Sequence, residues 1–183
     1  MGETVKSERV TFFWRVIAAH TIAYFIAGIF ALIFMNYREV YAGELMSLIM
    51  RPVDSPIVAL GSGLQIFRGF IIALVLLPFR EVFLSSKRGW LKLWGLIIGL
   101  SYISTIGPTF GSFDGYIFTV IPLEYHLLGI PETLIYTTLF SFMVVLWHKK
   151  PLKVWNVIAI ILVVLIMLMS LMGFLSGIGI MPG

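Results

Sequence analysis

The chain contains no cysteine, which excludes disulfides, thiolate metal sites and cysteine nucleophiles and leaves any chemistry to His, carboxylates, Arg, Tyr, Ser and Thr. It is also poor in charge. Only 12% of its residues are Asp, Glu, Lys or Arg, against about a quarter in ordinary soluble domains. A soluble domain of 183 residues needs far more polar surface than this to cover its core. No segment is long and polar enough for a soluble catalytic domain, and no internal repeat is visible, so the inverted symmetry of many transporters is absent from the pattern.

What the chain has instead is apolar sequence: 60% hydrophobic residues and a mean hydropathy of +1.01. A bilayer lets such side chains face outward, so the composition reads as an all-α integral membrane protein with the lipid bilayer as its first partner. Crossing the hydrocarbon core takes about 20 helical residues. The apolar runs give five spans in a single transmembrane domain, at 11–35, 56–79, 89–106, 131–147 and 154–175. Pro56 and Pro131 suit the first turn of a helix, while Pro78 and the Gly107-Pro108 pair read as stops. The first run is too long for a signal-peptide core and lacks a convincing small-residue cleavage site, so it reads as a retained helix.

The net charge of +4 and pI near 9.5 do not point to nucleic acid, because the basic residues sit in short clusters flanking the apolar runs. Lys6, Arg9, Arg15, Arg80, Lys87, Arg88, Lys92, Lys149, Lys150 and Lys153 fall on one side of a five-span topology, and only Arg38 and Arg51 on the other. By the positive-inside rule the N-terminus is expected in the cytoplasm and the C-terminus on the opposite side. Trp14, Trp90, Trp94, Trp147 and Trp155 then fall near inner helix ends, as an aromatic belt would.

Two outer segments exceed simple connections. Residues 36–55 carry Leu45, Leu48 and Ile49 at helical spacing, which predicts a short interfacial helix. Residues 107–130 are too apolar for a solvated loop and too interrupted by Gly107, Pro108, Gly111, Gly115 and Pro122 for a clean span. They read as a re-entrant or cavity-lining segment between the third and fourth spans.

The polar residues inside these spans are the candidate site. Arg68 stands twelve residues after Pro56, about 18 Å along the second span at 1.5 Å per residue, where an arginine costs about 2.5–3.5 kcal/mol to insert. It needs a carboxylate, a carbonyl or a bound anion, and Gln65 shares its side of the helix. His20, Tyr24, Gly28 and Ala31 form an inward stripe on the first span, with His20 at a depth similar to that of Arg68. Glu132 and Tyr136 are four apart on the fourth span, beside Thr133, Thr137 and Ser141. The expected ligand-binding set is Arg68, Gln65, His20, Tyr24, Glu132, Tyr136 and Asp114.

A second reading makes the chain an intramembrane enzyme acting on a lipid or lipid-linked substrate, with His126 or His20 as base and Glu124 or Glu132 as acid or metal ligand. The spacing of Glu124, His126 and Glu132 matches no helical metal motif, so no metal site is assigned, and the sequence names no cofactor. The run Gly111-Ser112-Phe113-Asp114-Gly115 reads as a turn. A third reading is a non-catalytic subunit whose ionisable groups pair with one another. Gly95 and Gly99 form a G-x-x-x-G suited to close helix packing, within a protomer or in a homo-oligomer. The leading expectation is a polar intramembrane pocket that binds or permeates a small anionic or amphipathic solute.

Overall fold

The computed structural model describes the backbone of residues 2–181 and the side chains of residues 7–181. The side chain of Lys6 and the terminal Pro182 and Gly183 lie outside the described residues. All regular structure among the described residues is helical. The helices are α1 (Gly2–Phe34), α2 (Tyr37–Ala42), α3 (Pro56–Leu76), α4 (Arg80–Leu84), α5 (Gly89–Ile98), α6 (Phe113–Phe118), α7 (Leu123–Leu128), α8 (Ile130–Lys149) and α9 (Lys153–Gly177). Four stretches are long and apolar enough to cross a membrane: Ser7–Phe34, Pro56–Leu84, Leu123–Lys149 and Lys153–Gly177.

Neither expected stop ends its helix. After Leu76 the chain tightens into a 3-10 turn, Leu77–Phe79, and resumes as α4, so the stretch that Pro78 was to close runs on to Leu84. Proline at the start of a new turn lacks only an N–H that has no partner there in any case. At the start of the fourth run, Pro131 occupies the first turn of α8 as expected, but Leu123–Leu128 leads almost directly into it, because Gly129 keeps right-handed helical dihedrals (φ −75°, ψ −7°). The fourth run therefore begins eight residues earlier than Pro131, and the end of the expected 107–130 segment belongs to it. The third run is shorter than 89–106: α5 passes into a π-helical turn at Gly99–Ile103 and stops. Between 36 and 55 the helix is α2, ahead of Leu45, and only a 3-10 turn, Met46–Leu48, forms where the apolar spacing pointed.

α1 is the central element. It packs on α3, α8 and α9, while α5 packs on α8 and α9 on α3. This order follows from small residues on α1: Ala18, Ala19, Ala23, Ala27 and Ala31 are all buried and let neighbours approach. α1 and α3 cross closely at Gly69 of α3, where an added Cβ would lie 3.0 Å from the Ile17 Cα. At the α3–α9 crossing, the Ser170 hydroxyl donates to the Ala59 carbonyl (2.7 Å) and accepts from the Gly63 N–H (3.0 Å), which places a polar group inside the most apolar helix. Gly95 and Gly99, by contrast, meet nothing within 4 Å. The expected close approach at these two glycines does not occur within the protomer. α5 reaches α8 instead through Leu93 and Ile97, which join Phe140, Val144, Ala19, Ala73 and Leu76 in the principal core.

Trp147 is not a belt residue. It is buried, with the Arg15 guanidinium 5.8 Å from its ring centroid, an arrangement that gives a buried cation a partner without an acid. Lys149 donates to the Ser86 carbonyl (2.6 Å), so the C-terminal end of α8 and the turn before α5 lie at one end of the bundle.

Candidate functional site

α3 and α5 both flank the α1–α8 pair, yet they make no substantial contact with each other. A cleft results. It is a cavity of about 190 Å³ lined by Tyr24 and Ala27 of α1, Arg68 of α3, Ile97, Ser101 and Tyr102 of α5 and its π turn, and Glu132, Thr133, Tyr136 and Thr137 of α8. Ile97 on its wall also belongs to the packed core, with Leu93, Phe140 and Ala73.

Arg68 is on its wall. Among the described residues no carboxylate lies within 4.0 Å of it and no hydrogen bond engages it. Ion pairs form elsewhere, between Arg38 and Asp54 (3.7 Å) and between Arg80 and Glu81 (3.3 Å). Glu132, which lines the same cavity, is held instead by the Tyr37 hydroxyl, which donates to its Oε2 at 2.7 Å. Burial, followed by that hydrogen bond to Glu132, raises the Tyr37 phenol far above its usual range. Burial and the same carboxylate push Tyr41 up to about 12. The Tyr37 phenol is therefore held as a donor to Glu132. The π turn also matters here, since the extra residue per turn rotates Ser101 and Tyr102 relative to a regular α-helix, and both end on the cavity wall.

His20 and Gln65 stand behind the wall. His20 is fully buried, with Nδ1 2.8 Å from the Tyr136 hydroxyl and Nε2 3.1 Å from Gln65 Oε1. The donor directions can be worked out. Gln65 Nε2 donates to the Gly61 carbonyl (3.2 Å), which can only accept, so Oε1 is the atom facing His20. In a neutral ring, Nε2–H then donates to Gln65 and Nδ1 accepts from the Tyr136 O–H. The chain Gly61, Gln65, His20, Tyr136 thus fixes the Tyr136 hydroxyl oxygen at the cavity while using up both ring nitrogens. His20 is edge-on to Tyr136 (5.5 Å between centroids) and to Phe140 (6.2 Å), which locks its orientation.

The structure therefore places Arg68, Tyr24, Glu132 and Tyr136 on one cavity and puts His20 and Gln65 in a supporting row. Asp114 is elsewhere. It borders a separate shallow cavity with Ile103, Ser104, Thr105, Ile106 and Phe113, and does not approach Arg68. His126 is buried and accepts from the Gly111 N–H through Nδ1 (3.2 Å), while its own carbonyl accepts from Tyr102 (3.1 Å). Its place is structural bracing between α7 and the turn before α6. Glu124 is exposed and does not line the cleft. No three of His, Asp and Glu converge as a metal site would require, among the described residues. Tyr37 and Tyr102 are the residues that sequence reasoning missed, since nothing in local spacing says that α2 folds back on Glu132 or that a π turn re-aims Tyr102.

No protein-family model, curated protein or solved structure matches this chain. The functional reading rests on the geometry of the cleft.

Proposed function

We propose that the chain is a five-span membrane protein whose α3–α5 cleft binds a small anionic or amphipathic ligand, with Arg68 as its counter-charge. The ends of the elements support a fifth crossing beside the four long apolar stretches. The C-terminal end of α8 meets the turn before α5 through Lys149 and Ser86, and the α7–α8 run starts at the opposite end, which favours a crossing by the chain between Gly89 and Pro122. α5 and its π turn supply about 20 Å of helical rise, short of the roughly 30 Å core, and the segment after Ile103 makes up the remainder as cavity-bordering, re-entrant chain. On this topology the basic clusters put the N-terminus in the cytoplasm.

The observation that carries the binding reading is the unpaired Arg68 beside a cavity. An intramembrane arginine with no acid partner is expensive unless something else neutralises it. A purely structural subunit would have closed Arg68 against a carboxylate. An enzyme built on His126 and Glu124 would have brought both to a common cavity, and neither borders this one. We read the cleft as a binding site, with the gap between α3 and α5 as a lateral way in for an amphiphile from the bilayer.

The test is to purify the full chain and its Arg68→Ala variant from the same membranes in mild detergent, and to compare bound small molecules and lipids by native mass spectrometry. A bound species present on the wild type and depleted on Arg68→Ala is expected. Equal spectra for the two proteins, with both folded, would refute the reading.

A further inference from the structure

Arg68, an exposed residue, and Glu132 line one cavity without pairing. Two opposite charges in a small low-dielectric space attract strongly, so a gap between them persists when each is held from behind or when a ligand with both charges spans it. Glu132 is held from behind by Tyr37 through Oε2, and Oε1 has no partner among the described residues. Tyr24, Tyr102 and Tyr136 line the same cavity and supply aromatic rings. Rings next to a carboxylate form a site for an ammonium group, through cation–π attraction added to the ion pair. Arg68, with its planar fork of donors, suits a phosphate or carboxylate.

We propose, building on the binding role above, that the cleft selects a zwitterion: an anionic phosphate or carboxylate at Arg68 joined to an ammonium at Glu132 and the tyrosines. A cation alone is repelled by Arg68, and an anion alone by Glu132. Size agrees with a headgroup and not a whole lipid, since about 190 Å³ is below the roughly 300–1,000 Å³ of pockets that enclose drug-sized ligands. Any acyl chains would leave through the α3–α5 gap. Glu132 is four residues nearer than Tyr136 to the N-terminal end of α8, so the ammonium sits toward that end and the anion deeper, beside Arg68.

The full chain in detergent is titrated with short-chain phosphatidylethanolamine, short-chain phosphatidylglycerol, free phosphoethanolamine and a single-chain alkylamine, and binding is read by native mass spectrometry on wild type, Arg68→Gln and Glu132→Gln. The glutamine at 132 keeps an acceptor for Tyr37, so that variant retains the wall. Phosphatidylethanolamine is expected to weaken about tenfold or more in each variant, as loss of one charge-assisted contact predicts. Phosphatidylglycerol is expected to weaken in Arg68→Gln and to strengthen in Glu132→Gln. If Glu132→Gln leaves phosphatidylethanolamine unchanged or improves it while Arg68→Gln weakens both lipids, the zwitterion proposal fails and the anion-binding role stands. If Arg68→Gln weakens neither lipid, both fail. Binding of free phosphoethanolamine comparable to that of the lipid identifies a soluble zwitterion as the source; binding of the lipid alone identifies a headgroup.

Discussion

Replacing Tyr136 by Phe removes one hydroxyl and changes little else, which makes it the cleanest probe of the row behind the cleft. In the wild type that hydroxyl satisfies Nδ1 of a fully buried histidine at 2.8 Å. Without it the acceptor has no substitute, because the ring is enclosed by Tyr24, Phe140 and the Tyr136 ring itself. Leaving a buried acceptor unpaired costs about 1–3 kcal/mol in general. Measured side-chain hydrogen bonds between membrane helices are weaker, about 0.6 kcal/mol on average and about 1.7 at most, since the unfolded helices find other partners in the membrane. His20 lies at the strong end of that range, so Tyr136→Phe is expected to destabilise by about 1–2 kcal/mol. Unfolding in mixed micelles, followed by fluorescence of the five tryptophans, measures it. A double-mutant cycle with His20→Leu should give a coupling of about 0.6–1.7 kcal/mol, and nitrogen NMR should find the His20 proton on Nε2. Additivity within about 0.3 kcal/mol, or a proton on Nδ1, would refute the assigned direction of the row.

Arg68→Leu is expected to raise stability by about 2–3 kcal/mol in the same assay while abolishing ligand retention, because it removes an unpaired intramembrane charge; a loss of stability would mean that Arg68 has a structural partner. Gly69→Ala should destabilise by about 1–3 kcal/mol, since its Cβ would meet the Ile17 backbone at 3.0 Å. Gly95→Ala should stabilise by about 0.5–1 kcal/mol, because nothing lies within 4 Å and alanine is the better helix former; the two shifts having the same sign would contradict the packing described. Tyr37→Phe should cost about 0.5–1.5 kcal/mol and speed amide exchange across Tyr37–Ala42, as Glu132 loses the donor that ties α2 to α8.

Those paired glycines also mark how far the sequence could be read. Gly95 and Gly99 carry the recognisable spacing yet are open, whereas Gly63 and Gly69, six apart and matching no motif, make the tight crossings to Ser170 and Ile17. Spacing along one helix states which face is smooth but not which neighbour arrives there. One grouping was legible: His20, Gln65 and Tyr136 were placed in one polar set, and His20 now hydrogen-bonds to both of the others. Azimuth was not. Asp114 was grouped with Arg68 in the expected ligand-binding set, but the chain between them passes through α4, α5 and a π turn whose rotation no local signal encodes. Pro78 misled for a related reason. It was judged by what proline forbids in mid-helix and instead begins a new turn, where the missing N–H has no consequence, whereas Pro131 opens α8 as expected.

The position of the cleft explains why its polar residues are distributed as they are. α1 and α8 pack against each other over much of their length, so residues between them can be fixed by mutual hydrogen bonds, and His20 and Tyr136 are. α3 and α5 have no such extensive mutual contact, so a polar group on the side where they flank the gap has only the cleft to face. Arg68 on one and Ser101 and Tyr102 on the other accordingly line the cavity without engaging each other. The rigid half of the site presents Tyr136 and Glu132, each held from behind. The other half carries the unpaired cation on a helix whose neighbour across the gap is free to approach it. A ligand that bridges Arg68 and Glu132 would draw α3 toward α8 and narrow the gap to α5. Occupancy should therefore slow amide exchange around Arg68 and Ser101 more than around His20, and equal protection at all three would place the ligand outside the cleft.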